Sequence, residues 1–150
     1  MAGTLTVELV TPEKVALTES ADFVVLPAWE GEMGVLPGHE AFLVQLNAGE
    51  VRVKRAGQTT SFAVSGGFAE VLGDKVSVFA ETAEMADEID AERALQALEK
   101  AKSEAAGRGA DPLTLFQAEA AMRRAQVRLR ISELRGRKRP GSQPPEPSER

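Results

Sequence analysis

The chain has no cysteine and no tyrosine among its 150 residues, and only one histidine and one tryptophan. Without cysteine there is no disulfide framework, no thiolate nucleophile and no zinc–thiolate site. The lone histidine, His39, has no second ligand at a metal-binding spacing, so no metal centre is expected, and no serine–histidine pair is plausible either. Long apolar runs are missing too. The longest, Phe23 to Trp29, is interrupted by Pro27 and falls far short of the roughly 20 residues a membrane span needs. The N-terminus lacks a basic stretch followed by an apolar core, so no signal peptide is expected. Such a chain is expected to stay where it is made and to meet a membrane only through another protein.

What is present is ordinary in amount and uneven in arrangement. A hydrophobic content of 43% is usual for a globular chain, and the length suits one domain or two small ones. Residues 1–90 carry 15 acidic and 5 basic side chains, a net of −10, whereas residues 108–139 carry 9 basic and 3 acidic, a net of +6. Such a split reflects either different partners for the two segments or two solvated faces.

The first part reads as strands. Leu5, Val7 and Leu9 alternate with Thr6, Glu8 and Val10, the period of a half-buried strand. Thr11-Pro12-Glu13 is a turn. Phe23 to Leu26 is a buried strand expected to stop at Pro27. Val51 and Val53 alternate with Arg52 and Lys54, and Ala56-Gly57-Gln58 turns the chain into Thr59 to Val64. Gly73-Asp74 separates Phe68–Leu72 from Lys75–Ala80, a second hairpin. Nine or ten short strands with no helix between them imply an antiparallel sandwich or barrel. Gly66 and Gly67 are expected at a bulge or tight bend.

After Glu81 the period becomes helical. Ala91, Ala94, Leu95, Leu98, Ala101 and Ala105 form one stripe, with Asp87 or Asp90 as the cap and Gly107 and Gly109 at the end. Asp111-Pro112 opens a second helix, and Leu115, Ala118, Met122, Ala125 and Leu129 form its stripe. Stripes rich in alanine let two axes come close. The expected organisation is a sandwich over residues 1–86, an antiparallel helical hairpin over 87–135, and a proline-rich, disordered tail over 136–150.

Little here suggests catalysis. Glu30 and Glu32 are two apart and share a face if they lie on a strand, and paired carboxylates do acid–base work, but exposed loop glutamates are far commoner. Ser65-Gly66-Gly67 lacks the lysine and the following helix of a phosphate loop. The chain is therefore not expected to be an enzyme.

Three segments carry a resemblance. EGEMGVLPGHEAFL (Glu30 to Leu43), VSGGFAEV (Val64 to Val71) and IDAERA (Ile89 to Ala94) are similar, in order and spacing, to motifs of the epsilon subunit of the bacterial rotary (F-type) ATP synthase. The resemblance covers about residues 4–135. One departure is Glu40-Ala41-Phe42, where many relatives have a small residue and a proline. The resemblance implies a ten-stranded β-sandwich followed by a two-helix hairpin. It also implies a non-catalytic rotor part at the cytoplasmic face of the bacterial inner membrane. There the sandwich would dock on the gamma subunit and the ring of membrane rotor subunits, coupling proton flow to ATP synthesis. Glu32 would face the ring and His39 would lie near gamma; both also fit ordinary turn-shaping roles. The hairpin would permit rotation when folded down and block hydrolysis when raised, with Arg123, Arg124 and Arg128 meeting an acidic loop of the beta subunit; arginine's fork suits carboxylates. Arg130 and Arg135 add to this basic helix, which also reads as a solvated face. No cofactor is implied beyond a regulatory ATP, contacted by Ile89, Asp90, Arg93 and Ala94 and, from RRAQVRL, by Arg124 and Arg128. Asp90 is equally a helix cap. A reading from another class is a free-standing module whose basic helix grips nucleic acid through phosphates. The acidic whole and the seven aromatics, six phenylalanines and one tryptophan, argue against it.

Overall fold

A computed structural model describes residues 3–107, 109 and 111–137, with side chains described as far as Leu134. Eight strands come first: β1 (Leu5–Val10), β2 (Val15–Ala21), β3 (Phe23–Ala28), β4 (Gly31–Val35), β5 (Phe42–Arg55), β6 (Gln58–Leu72), β7 (Lys75–Ala80) and β8 (Ala83–Met85). A short 3-10 turn at Ala86–Glu88 leads to α1 (Ala91–Ala105) and α2 (Pro112–Arg137).

Eight continuous strands replace the nine or ten expected, because β5 and β6 are 14 and 15 residues long and each serves two layers. Their antiparallel ladder skips a pair between Leu46↔Gly67 and Ala48↔Ser65. The strands bend there, and splitting each at the bend recovers ten segments. One layer then holds β2, β1, β7, the end of β6 and the start of β5. The other holds β8, the start of β6, the end of β5, β3 and β4. Gly67 has φ of +128°, and a Cβ there would collide with the Phe79 carbonyl oxygen, so the bend admits only glycine.

Two further expectations need correction. The sandwich is not wholly antiparallel, since β1 lies parallel to β7, from Thr6↔Lys75 to Val10↔Phe79. Pro27 does not end its strand. It is buried inside β3, where the β3–β5 register breaks between Val25 and Ala28 and no ladder donor is needed.

The core lies between the layers. Alternation puts Leu5, Val7 and Leu9 inside, facing Val24, Leu26, Val35, Leu46, Val51, Val53, Phe62, Val64, Val71, Val76 and Val78. The β5–β6 turn takes positive φ at Ala56 and Gly57, and Asp22 Oδ2 accepts from the Ala56 N–H at 2.7 Å.

Asp90, not Asp87, caps α1, accepting from the Arg93 N–H at 3.1 Å. Asp111 caps α2 through the Thr114 N–H at 2.7 Å, with Pro112 in the first turn. That bond, made to the ionised carboxylate, holds the Asp111 carboxyl below the usual range. The seam between the helices buries Ala94, Leu98 and Ala101 against Ala118 and Ala125. Leu95 and Leu115, assigned to the stripes, are substantially exposed, since alanine-to-alanine packing makes the seam narrower than the apolar stripe. α2 runs to Arg137, past the expected edge at 135; helix ends commonly shift by a residue or two. The rest of the tail lies outside the described residues.

Candidate functional site

The two outer faces of the sandwich differ. On the second layer, Ala63 and Glu84 stand opposite each other on β6 and β8, and α2 lies over them. Ile131 is buried in this contact, and Arg128 Nε sits 2.8 Å from Glu84 Oε2. That oxygen is buried without an aligned hydrogen bond, so its compensation is the charge of Arg128. Arg124 and Arg128 come together with Ser65 and Thr82 around a hollow of about 10 Å³, barely enough for a water. The hairpin is thus folded down on the sandwich.

This placement separates the proposed nucleotide residues by role. Asp90 is occupied as a cap, Ala94 is buried in the helix seam, Ile89 is half-buried after the 3-10 turn, and Arg93 is exposed. Arg124 and Arg128 are brought together on the sandwich side of α2, and Arg128 is held by Glu84. Arg123 is exposed. Sequence reasoning missed Glu84. Its signal was weak: a carboxylate in a three-residue strand, 44 positions before its arginine.

Glu32 is not at a loop tip. It lies within β4, on the outer face of the second layer, and both its oxygens take the Arg52 guanidinium, at 2.9 and 3.0 Å. Arg52 also reaches Glu50 at 3.3 Å. This fork holds the Glu32 carboxyl below the usual range, with Arg130 a lesser contributor. Gly34, beside it in β4, leaves room for the Phe23 ring, which a Cβ would approach to 2.8 Å. A corner follows β4, at Leu36–Ala41. There the Gly38 N–H donates to Asp74 Oδ1 in the β6–β7 turn at 2.9 Å, and half-buried His39 sets its ring edge-on to Phe42. Glu32 and His39 therefore serve different surfaces: Glu32 the face that carries α2, His39 the rim of the first layer.

The outer face of that first layer was not singled out by sequence. Alternation there turns Phe68 and Leu72 of β6 and Phe79 of β7 outward, 47%, 62% and 37% exposed. Leu43 of β5 is 67% exposed. Phe68 and Phe79 stack at 5.0 Å. Exposed apolar clusters of this kind mark docking surfaces. Among the described residues no group of three or more His, Cys, Asp or Glu side chains converges to hold a metal ion, and no helix is long and apolar enough to cross a membrane.

Comparison with known proteins matches residues 4–86 to the β-sandwich domain of the ATP synthase delta/epsilon chain and residues 87–133 to its long α-helix domain. The chain is 48% identical over 134 residues to the ATP synthase epsilon chain of Syntrophobacter fumaroxidans, covering 89% of this chain and 98% of that one. It is 41% identical over 133 residues to the epsilon chain of Desulforamulus reducens, covering 89% and 100%. Among solved structures, a chain of the Euglena gracilis mitochondrial ATP synthase (OSCP/F1/c-ring) aligns with a TM-score of 0.75 and 29% identity, over 87% of this chain and 81% of that chain. A chain of the Tetrahymena thermophila central stalk and c-ring, 13% identical with a TM-score of 0.62, shares the fold. Sandwich, hairpin and sequence agree along nearly the whole described length, and the chain belongs to the ATP synthase delta/epsilon family.

Proposed function

We propose that this chain is the epsilon-type subunit of a proton-translocating ATP synthase: a central-stalk rotor part that performs no chemistry itself and is held at the cytoplasmic face of the membrane by its partners. The observation that carries this reading is the apolar outer face of the first layer. Leu43, Phe68, Leu72 and Phe79 offer a flat surface for the gamma subunit, and His39 lies at its rim. The β3–β4 end, with exposed Trp29 and Glu30, is then directed at the membrane ring, with Glu32 in its support. The nucleic-acid reading has no support from the relatives, and in this conformation one of its arginines is already paired with Glu84.

The docked hairpin is the permissive state. Raised, it would carry Arg123, Arg124 and Arg128, together with exposed Leu113 and Phe116, to the catalytic head and its beta subunits. A regulatory ATP held by Ile89, Asp90, Arg93, Ala94, Arg124 and Arg128 would favour the down state only through tighter binding to it. It would have to open the Arg128–Glu84 contact. The test is capture of this chain by the gamma subunit. The wild type binds, Phe68→Asp with Phe79→Asp abolishes capture while the fold is retained, and Arg123→Ala with Arg124→Ala does not. Capture unaffected by the aromatic pair would count against this face.

A further inference from the structure

The apolar outer face of the first layer is crossed by one polar row. Leu43 of β5 stands opposite Glu70 of β6, Glu70 opposite Ser77 of β7, and Ser77 beside Glu8 of β1. Glu70 is exposed, and along β6 it lies between Phe68 and Leu72, which turn outward with it. Large apolar side chains therefore border it on three sides, and on the fourth is Ser77, buried and uncharged. The strand segments that build this layer hold a single cation, Lys75. Lys75 precedes Ser77 by two residues, diagonal to both carboxylates, and its Nζ lies 3.0 Å from Glu8 Oε2. Glu8 is thus paired, whereas no described residue makes a hydrogen bond or ion pair with the Glu70 side chain. Facing water, that carboxylate is simply hydrated. Under an apolar cover it is not, and burying a charge with no compensating partner is strongly unfavourable.

We propose that Glu70 decides which surface this face accepts: the partner presents an apolar patch with one arginine or lysine set in it, and that cation pairs with Glu70 as the surfaces close. The inference rests on the docking of this face to the gamma subunit and adds the chemistry of the matching surface. The aromatic stack of Phe68 and Phe79, with Leu43 and Leu72, supplies contact area of no particular direction. The carboxylate among them supplies register and choice of partner. A patch without a cation is refused, and so is a second copy of this face, which would bring another carboxylate in place of the cation.

Calorimetric titration of the full chain with the gamma subunit tests it. Glu70→Gln, a change at an exposed site that keeps the fold, should weaken binding roughly 30-fold or more, because it leaves the partner's cation buried and unpaired. Glu70→Leu should weaken it at least as much. Lys75→Gln should stay within about twofold of the wild type, as loss of a partly exposed pair does. Equal affinity of wild type and Glu70→Gln, or tighter binding by Glu70→Leu, overturns this inference; if Phe68→Asp with Phe79→Asp still abolishes binding, the docking face itself stands. A loss in Lys75→Gln as large as that in Glu70→Gln also overturns it, for then Lys75 leaves Glu8 and neutralises Glu70 from within this chain. A wild type that does not bind the gamma subunit removes the docking reading and this inference with it.

Discussion

Between the layers of the sandwich sit Phe62, Leu5, Leu9, Leu26 and many valines, all essentially sealed from water. Between α1 and α2 sit Ala94, Ala101, Ala118 and Ala125, with Leu98 the one large side chain buried in that seam. Each buried methylene contributes on the order of 0.8 kcal/mol, so alanine seams hold far less tightly per residue than valine–leucine layers. Among the described residues, the seat of α2 on the sandwich adds buried Ile131 and the Arg128–Glu84 pair. The sandwich is held strongly and the hairpin weakly, as the two-state hairpin proposed above would require. A two-state element needs such a modest difference between its states, because a switch cannot shift an equilibrium fixed by many kcal/mol.

The largest test of this contrast is Phe62→Ala. It should cost about 3–5 kcal/mol and be visible as a lowered denaturant midpoint of the whole chain, helices included. If the helices kept their midpoint, the hairpin would not depend on the sandwich. Next is Ile131→Ala, expected at about 2 kcal/mol, the low end for an aliphatic truncation, because the site borders an open cleft. Its signature should be faster amide exchange in α2 with β1–β7 unchanged; equal loss in the strands would make α2 part of one cooperative core. Smaller again is Arg128→Gln. The pair is partly exposed, so roughly 0.5–1 kcal/mol is expected, read as a modest rise in hairpin opening and, in an assembled complex, in the population of the raised state. A larger loss would show that burial of Glu84 Oε2 dominates, as a carboxylate left without its cation would.

The smallest effect is in acid. The Glu32 and Asp111 carboxyls titrate lower when folded, Glu32 chiefly through Arg52 and Asp111 through the Thr114 N–H. Their stabilisation is therefore complete above the unfolded value, near pH 4, and is lost as pH falls through the depressed folded values. The stability gap between wild type and Glu32→Gln should shrink below about pH 4. A gap that grows in acid would reverse the sign of the Arg52 interaction.

Local features were legible in the sequence. The alternation of Leu5, Val7 and Leu9 is enforced by the pleat, and the Asp90 and Asp111-Pro112 starts follow from unsatisfied N–H groups at helix ends. The family motifs pointed to the sandwich and the hairpin. What escaped depends on residues far apart in the chain. The parallel β1–β7 pair, the burial of Pro27 at a register break, the Glu84–Arg128 contact and the aromatic outer face all require knowing which strand lies beside which. Glu32 reads more readily as a loop glutamate because Gly31 and Gly34 flank it, whereas Gly34 serves the Phe23 ring within a strand.

The bend at Asn47 and Gly66 also has a mechanical side. Two stacked sheets held only by apolar contact can slide, since such contact has no direction. Here β5 and β6 pass unbroken from one layer to the other, and their ladder runs from Phe42↔Val71 to Arg55↔Gln58. A twist applied to one face must therefore strain backbone hydrogen bonds along that whole ladder together, rather than peel them one by one. With the aromatic face docked on the rotor as proposed, such a piece would behave as a keyed coupling, passing torque from that face to the other with little lost to slip.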